Sequence, residues 1–165
     1  MHTSQVSAAL GIGASEDAEY RPKPTVLVVG TDDWAIEQSA AVLEAGGCAV
    51  LRCHEPGQPA FPCNALVAGR TCPLDAGFDL VADVRARPLA TLDQSEFGVI
   101  CALHHGKPLV VAGVAPELPL GPWATVKVGQ GGDLVSACEQ VVAMEADDVG
   151  AGSPARLLKG ASHVS

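Results

Sequence analysis

Residues 25–53, TVLVVGTDDWAIEQSAAVLEAGGCAVLRC, predict a strand, a helix and a second strand, and this segment decides the fold. The run 25–29 (TVLVV) has no polar alternation and is rich in β-branched residues, as expected for a strand buried on both faces. The helix has an apolar face at i, i+4 and i+7, formed by Ile36, Ala40 and Leu43. The pair Gly46-Gly47 ends the helix, and residues 48–53 form the second strand.

The rest of the chain continues the alternation of strands and helices. Three further strands are predicted at residues 78–84, 109–112 and 125–128. Asp133 opens a last helix, whose inward residues are predicted to be Leu134, Cys138, Val141 and Val142. This pattern predicts a single α/β domain with a doubly wound, five-stranded parallel sheet and right-handed crossovers.

A capping box predicts one more helix before the fourth strand. Asp93 is an N-cap acid with Glu96 three residues on. The helix is predicted to run to about His105, with Gly106 ending it. Its inward face is predicted to consist of Phe97, Ile100 and Leu103 or His104.

The two ends and one long loop interrupt this organisation. Residues 1–24 predict a disordered arm, and residues 146–165 predict a flexible tail, because both lack apolar periodicity. The folded domain is predicted over residues 25–145. Residues 54–77, here called the cysteine loop, hold four of the chain's twelve prolines and show no helical or strand period.

The order of elements resembles a response-regulator receiver domain, a flavodoxin-like fold. Residues 26–53 resemble the receiver's first strand, acidic turn, first helix and second strand, and residues 79–88 (DLVADVRARP) resemble the strand that carries the phosphoacceptor aspartate. Residues 125–142 resemble the strand with the receiver's lysine and the final helix. The resemblance implies the strand order 2-1-3-4-5, with a switch point between the first and third strands where ligands bind.

The resemblance also implies an acidic pocket at the carboxyl edge of the sheet. Asp32, Asp33, Asp83 and Lys127 are its candidate residues, and a working pocket would hold Mg²⁺. The sequence departs from the family here. Gly30-Thr31 separate the acidic pair from the first strand, and the fourth strand ends in Val110-Val111-Ala112-Gly113 where the family has Ser or Thr. We therefore expect Asp83 not to be phosphorylated.

The cysteine loop leaves the sheet at the same edge, and this region holds the chain's strongest set of candidate metal ligands or redox thiols. Cys53, Cys63 and Cys72 with His54 could bind zinc tetrahedrally, with Asp75 as a substitute fourth ligand. A three-cysteine iron–sulfur centre, a redox pair and inert buried thiols are the alternatives. The other cysteines, Cys48, Cys101 and Cys138, are predicted to be small core residues that take no part.

Composition restricts the function further. The 165 residues carry a net charge of −9 and no run of Lys or Arg, which argues against nucleic-acid and anionic-membrane partners. No apolar run reaches the length of a membrane span, and the N-terminus has no signal-peptide pattern, so a cytoplasmic location is predicted. The leading hypothesis is a non-enzymatic regulatory module that binds another protein. A phosphorylatable receiver and a small thiol-dependent enzyme are the alternatives.

Overall fold

The computed structural model describes residues 23–150, with side chains through Asp147. Its five strands are β1 (Thr25–Gly30), β2 (Ala49–Arg52), β3 (Leu80–Arg85), β4 (Leu109–Gly113) and β5 (Val126–Gly129). The helices are α1 (Asp33–Ala45), the short α2 (Pro73–Ala76), α3 (Phe97–His104) and α4 (Leu134–Gly150). Three 3₁₀ turns lie at Asn64–Leu66, Gln94–Glu96 and Gly121–Trp123.

The strands form one all-parallel sheet in the order β2-β1-β3-β4-β5, which confirms the predicted fold class and strand order. The side chains of β1 alternate between two cores, as its unbroken apolar sequence requires. Val26 and Val28 pack with α1 and α4 on one face, and Leu27 and Val29 pack with α3 on the other. The sheet is therefore covered on both faces, although the second crossover is the cysteine loop and contains only short helical turns.

The capping box is present, but the inward face of α3 differs from the prediction. Asp93 and Glu96 cap the 3₁₀ turn that leads into α3. Val99 and Ala102 are buried, whereas Phe97 and Ile100 are 48% and 42% exposed. The reason is steric, because small residues let the helix approach the sheet closely and the larger apolar residues are left facing outward.

The two predicted domain boundaries can be compared with the described residues only in part. The predicted boundary at residue 145 falls inside α4, which ends at Gly150. Residues 1–22 of the predicted arm and residues 151–165 of the predicted tail lie outside the described residues. At the N-terminal end, the Pro24 carbonyl already accepts a hydrogen bond from the Ala49 amide, so ordered contacts begin before β1.

None of the helices in residues 23–150 has both the length and the apolar character that crossing a membrane would require.

Candidate functional site

Asp32 and Asp33 both lie at the carboxyl edge of the sheet, where they hold backbone groups. The Asp32 side chain accepts a hydrogen bond from the Ala35 amide (3.0 Å) and so caps α1. Asp33 accepts one from the Gly57 amide (3.0 Å) and ties the start of the cysteine loop to α1. These two contacts stabilise the helix terminus and the loop.

Asp83 lies within β3, and its side chain is completely buried. It is opposite Val29 in β1 and Val111 in β4, so it faces α3 from the middle of the sheet. The Asp83 Oδ2 atom accepts hydrogen bonds from Arg85 at 2.6 Å. Residues two apart on a strand share a face, which is why Asp83 and Arg85 meet.

A third buried charge, Glu96, completes this cluster. Arg85 Nη2 donates to Glu96 Oε1 (3.1 Å), and Glu96 Oε2 accepts from the Asp93 amide (2.8 Å). The same carboxylate therefore caps a turn and neutralises a buried cation. Two polar atoms of the cluster, Asp83 Oδ1 and Arg85 Nη1, are buried without a hydrogen-bond partner in the described chain.

Lys127 is level with Asp83 in the register of the sheet but lies two strands away, at about 9–10 Å between backbones. It is exposed and pairs with Glu117. The structure thus does not bring Asp32, Asp33, Asp83 and Lys127 together in one open pocket. Instead, it engages each of them in a separate structural contact.

The buried cluster predicts a pH dependence of stability. Burial raises the pKa of Asp83 to about 6, well above the usual range of an aspartate, with Glu96 adding to the rise and Arg85 opposing it. Between about pH 4 and about pH 6 the folded protein holds this proton more tightly than the unfolded chain does. Asp83 therefore contributes stability that is present below about pH 4 and lost as the pH rises to about 6, by about 2–3 kcal/mol.

This dependence is measurable as a difference between two proteins. Urea unfolding of the parent and of Asp83→Asn should be followed from about pH 4 to about pH 7. The parent's free energy of unfolding, minus that of the variant, should fall across this range. A difference that rises with pH would mean that Arg85 outweighs burial and lowers the pKa of Asp83.

Cys53 follows β2 and packs against the face of the sheet that α3 covers. A Cβ atom at Gly98 would lie 2.7 Å from Cys53 Sγ and 3.1 Å from Val29 Cγ2, so the glycine allows α3 to rest on the Cys53 sulfur. Burial raises the pKa of the Cys53 thiol to about 12, and repulsion from the thiolates of Cys72, Cys101 and Cys63 adds to the rise. Cys53 is therefore a half-buried thiol whose sulfur lies against α3.

Cys63 and Cys72 each precede a short helical turn in the cysteine loop, and both are half-buried. The prediction that Cys101 is a core residue is wrong, because Cys101 is exposed on α3. Partial burial and repulsion from the thiolates of Cys63 and Cys72 raise its pKa. Cys48 and Cys138 are buried, as predicted, within the core beside α1 and α4.

His54 and Cys53 both line a small cavity, which Ile36 and Glu37 of α1 also line. Asp75 is exposed in α2. Among residues 23–147, no three His, Cys, Asp or Glu side chains already stand in position to share one metal ion.

A cleft of about 360 Å³ opens at the carboxyl edge, on the α1 side of the sheet. It is bounded by α1, the ends of β3, β4 and β5, and the glycine-rich turn 129–132. Trp34 and Val42 of α1 line it and are 69% and 52% exposed. The sequence predicted ligand binding at this edge, between the first and third strands, but it did not identify this cleft.

Against this geometry, comparison with protein-family models, with curated proteins and with solved structures finds no match to the chain.

Proposed function

We propose that this chain is a non-enzymatic, receiver-like regulatory module, whose cysteine loop holds a structural metal ion or responds to redox state. The observation that carries the proposal is that the Cys53 sulfur lies against Gly98 of α3, directly before the loop that carries Cys63 and Cys72. In the described chain, none of residues 54–77 is buried, so the loop has little apolar surface to hold it. Long loops without such a core usually need another constraint, and a metal or a disulfide supplies one.

The cleft supports the proposal of a protein partner. Its exposed aromatic residue, Trp34, is the kind of side chain that anchors protein interfaces. The acidic composition of the chain favours a partner with a basic or apolar surface over nucleic acid.

The geometry gives no support to a thiol-dependent enzyme. A nucleophilic cysteine needs a thiolate near neutral pH, which requires a lowered pKa. Burial instead raises the pKa of Cys53 to about 12, and the pKa of Cys101 is raised as well.

The geometry also favours an unphosphorylated module. Phosphoryl transfer requires an accessible carboxylate, and the Asp83 side chain is buried against Arg85. We expect no phosphoryl adduct when the protein is incubated with acetyl phosphate and Mg²⁺. Intact-mass spectrometry of the parent beside Asp83→Asn tests this, and an adduct found only in the parent would contradict it.

The proposed function itself is tested by metal content and thiol state. Full-length protein purified without chelator and without a histidine tag should contain about one metal ion per chain, or should form a disulfide among Cys53, Cys63 and Cys72 on mild oxidation. Alanine variants of these three should lose the property. Matched variants Cys48→Ala and Cys138→Ala should keep it. A parent protein with no metal and no change in thiol state would overturn the proposal.

A further inference from the structure

The cleft on the α1 side of the sheet has uncharged walls. Of the residues that line it, only Arg85 is ionisable, and its side chain lies on the opposite face of the sheet with Asp83 and Glu96. The other lining residues are apolar or neutral, and Trp34 stands exposed among them. The cleft therefore suits an apolar occupant.

Acidic residues lie next to the cleft, at the starts of the two helices that border it. Asp32 caps α1 two residues before Trp34. Asp133 directly precedes Leu134, and its side chain accepts hydrogen bonds from the amide and the hydroxyl of Ser136, which lower its pKa. Within residues 23–147 no lysine or arginine side chain enters the cleft to balance these carboxylates. An apolar group with basic residues beside it therefore fits the cleft and its rim.

One part of the chain outside the described residues has this composition. Residues 151–165, here called the C-terminal segment, contain the sequence Arg-Leu-Leu-Lys at 156–159 and no acidic residue. Residues 1–22 instead contain three acidic residues and one arginine, so the acidic rim would disfavour them. A lack of apolar periodicity predicts a flexible tail, yet these four residues match the cleft in both apolar character and charge.

The length of the chain matches as well. The helix α4 begins with Leu134 at the cleft and ends at Gly150, and its 17 residues span about 25 Å at ~1.5 Å per residue. Seven extended residues lead from Gly150 to Leu157, and they span about 23 Å at ~3.3 Å per residue. Pro154 favours an extended chain at the residue before it. A segment that runs back along α4 therefore brings Leu157 and Leu158 level with the cleft.

We infer that the C-terminal segment folds back along α4 and places Leu157 and Leu158 against Trp34 in the cleft. The basic residues on either side of the leucines then lie beside the acidic rim. The short connection to α4 keeps the leucines at a high effective concentration near the cleft. This docking does not depend on the cysteine loop. Its consequence rests on the proposed function, because a protein partner of the cleft would have to displace the segment.

Tryptophan fluorescence tests the docking in the full chain. The other tryptophan, Trp123, is exposed and does not line the cleft, so Trp123→Phe leaves Trp34 as the only tryptophan. In this background, Leu157→Asp combined with Leu158→Asp should raise acrylamide quenching of Trp34 by about twofold, because neighbouring contacts no longer exclude water and quencher from the indole. Val164→Asp is the matched control in the same segment and should leave the quenching unchanged.

A second variant tests the contribution of charge. Arg156→Glu combined with Lys159→Glu should also raise the quenching of Trp34. Added salt should raise the quenching in the parent but not in this variant, because salt screens attraction between exposed charges. A synthetic peptide of residues 151–165 should restore low quenching when it is added to the variant with both leucines replaced. Far-ultraviolet circular dichroism checks that each variant keeps the fold of the parent.

The possible failures are distinguishable. Equal quenching of Trp34 in the parent, in the leucine variant and in the control would overturn the inference and leave the cleft open to a partner, so the proposed function would stand. Quenching that rises when the parent is diluted would mean that the segment of a second copy occupies the cleft, which also overturns the inference. A parent with no metal and no change in thiol state overturns the proposed function but not the docking.

Discussion

Replacing Arg85 with methionine is expected to lower the free energy of unfolding by about 3–5 kcal/mol. The guanidinium is the partner of both Asp83 and Glu96, and all three side chains are fully buried. Without it, two carboxylates remain in the interior with no cation, and breaking a buried ion pair by removing one partner is strongly destabilising. Urea unfolding followed by circular dichroism measures the loss.

The matched control is Arg52→Met, which breaks an ion pair that is partly open to solvent. Arg52 pairs with Glu37 at 3.2 Å, and both side chains remain partly exposed. The expected loss is below about 1 kcal/mol, as for exposed pairs generally. Equal losses in the two variants would show that the buried cluster does not depend on Arg85. A triple variant with apolar residues at 83, 85 and 96 should recover most of the stability, because it removes the buried charges together.

The architecture was predictable because its signals are local and agree with one another. The apolar run of β1 has no polar alternation, so it could only be a strand covered on both faces. Glycines and helix-capping residues then separated the helices from the strands. Alternating strands and helices leave few permitted topologies, and the resemblance to a receiver then implied the strand order 2-1-3-4-5, which the sheet has.

The buried charge cluster was not predicted, although part of it could have been. Asp83 and Arg85 are two residues apart in a strand whose other residues are apolar, and two opposite charges on one face of a buried strand must find each other. The resemblance to a receiver directed attention to Asp83 as a phosphoacceptor instead. Glu96 could not have been assigned from sequence, since its capping role accounted for it fully.

The position of Cys101 depended on the rotation of α3 about its own axis, which periodicity alone did not fix. The sequence pattern predicted Phe97 and Ile100 as inward residues. The helix instead turns Gly98, Val99 and Ala102 toward the sheet, where space is limited by the Cys53 sulfur and Val29. That rotation leaves Cys101 exposed on α3.

The main chains of β3 and β4 approach each other closely at Arg85, and this contact predicts a second large effect on stability. Gly113 ends β4 opposite Arg85, with a φ of +107°. A Cβ atom there would lie 2.1 Å from the Arg85 carbonyl oxygen, which also accepts a hydrogen bond from the Val114 amide. Gly113→Ala therefore combines backbone strain with a clash against main chain that cannot rotate away. The expected loss in the free energy of unfolding is about 3–5 kcal/mol.

Gly106→Ala separates the two causes of that loss. Gly106 also has a positive φ, of +70°, but a Cβ atom there would meet nothing within 4 Å. Gly106→Ala should therefore lower the free energy of unfolding only by the cost of backbone strain, about 1–2 kcal/mol. The two variants can be compared by urea unfolding under the same conditions. If both variants lose the same free energy of unfolding, a Cβ atom at residue 113 does not clash with the Arg85 main chain, and the prediction is wrong.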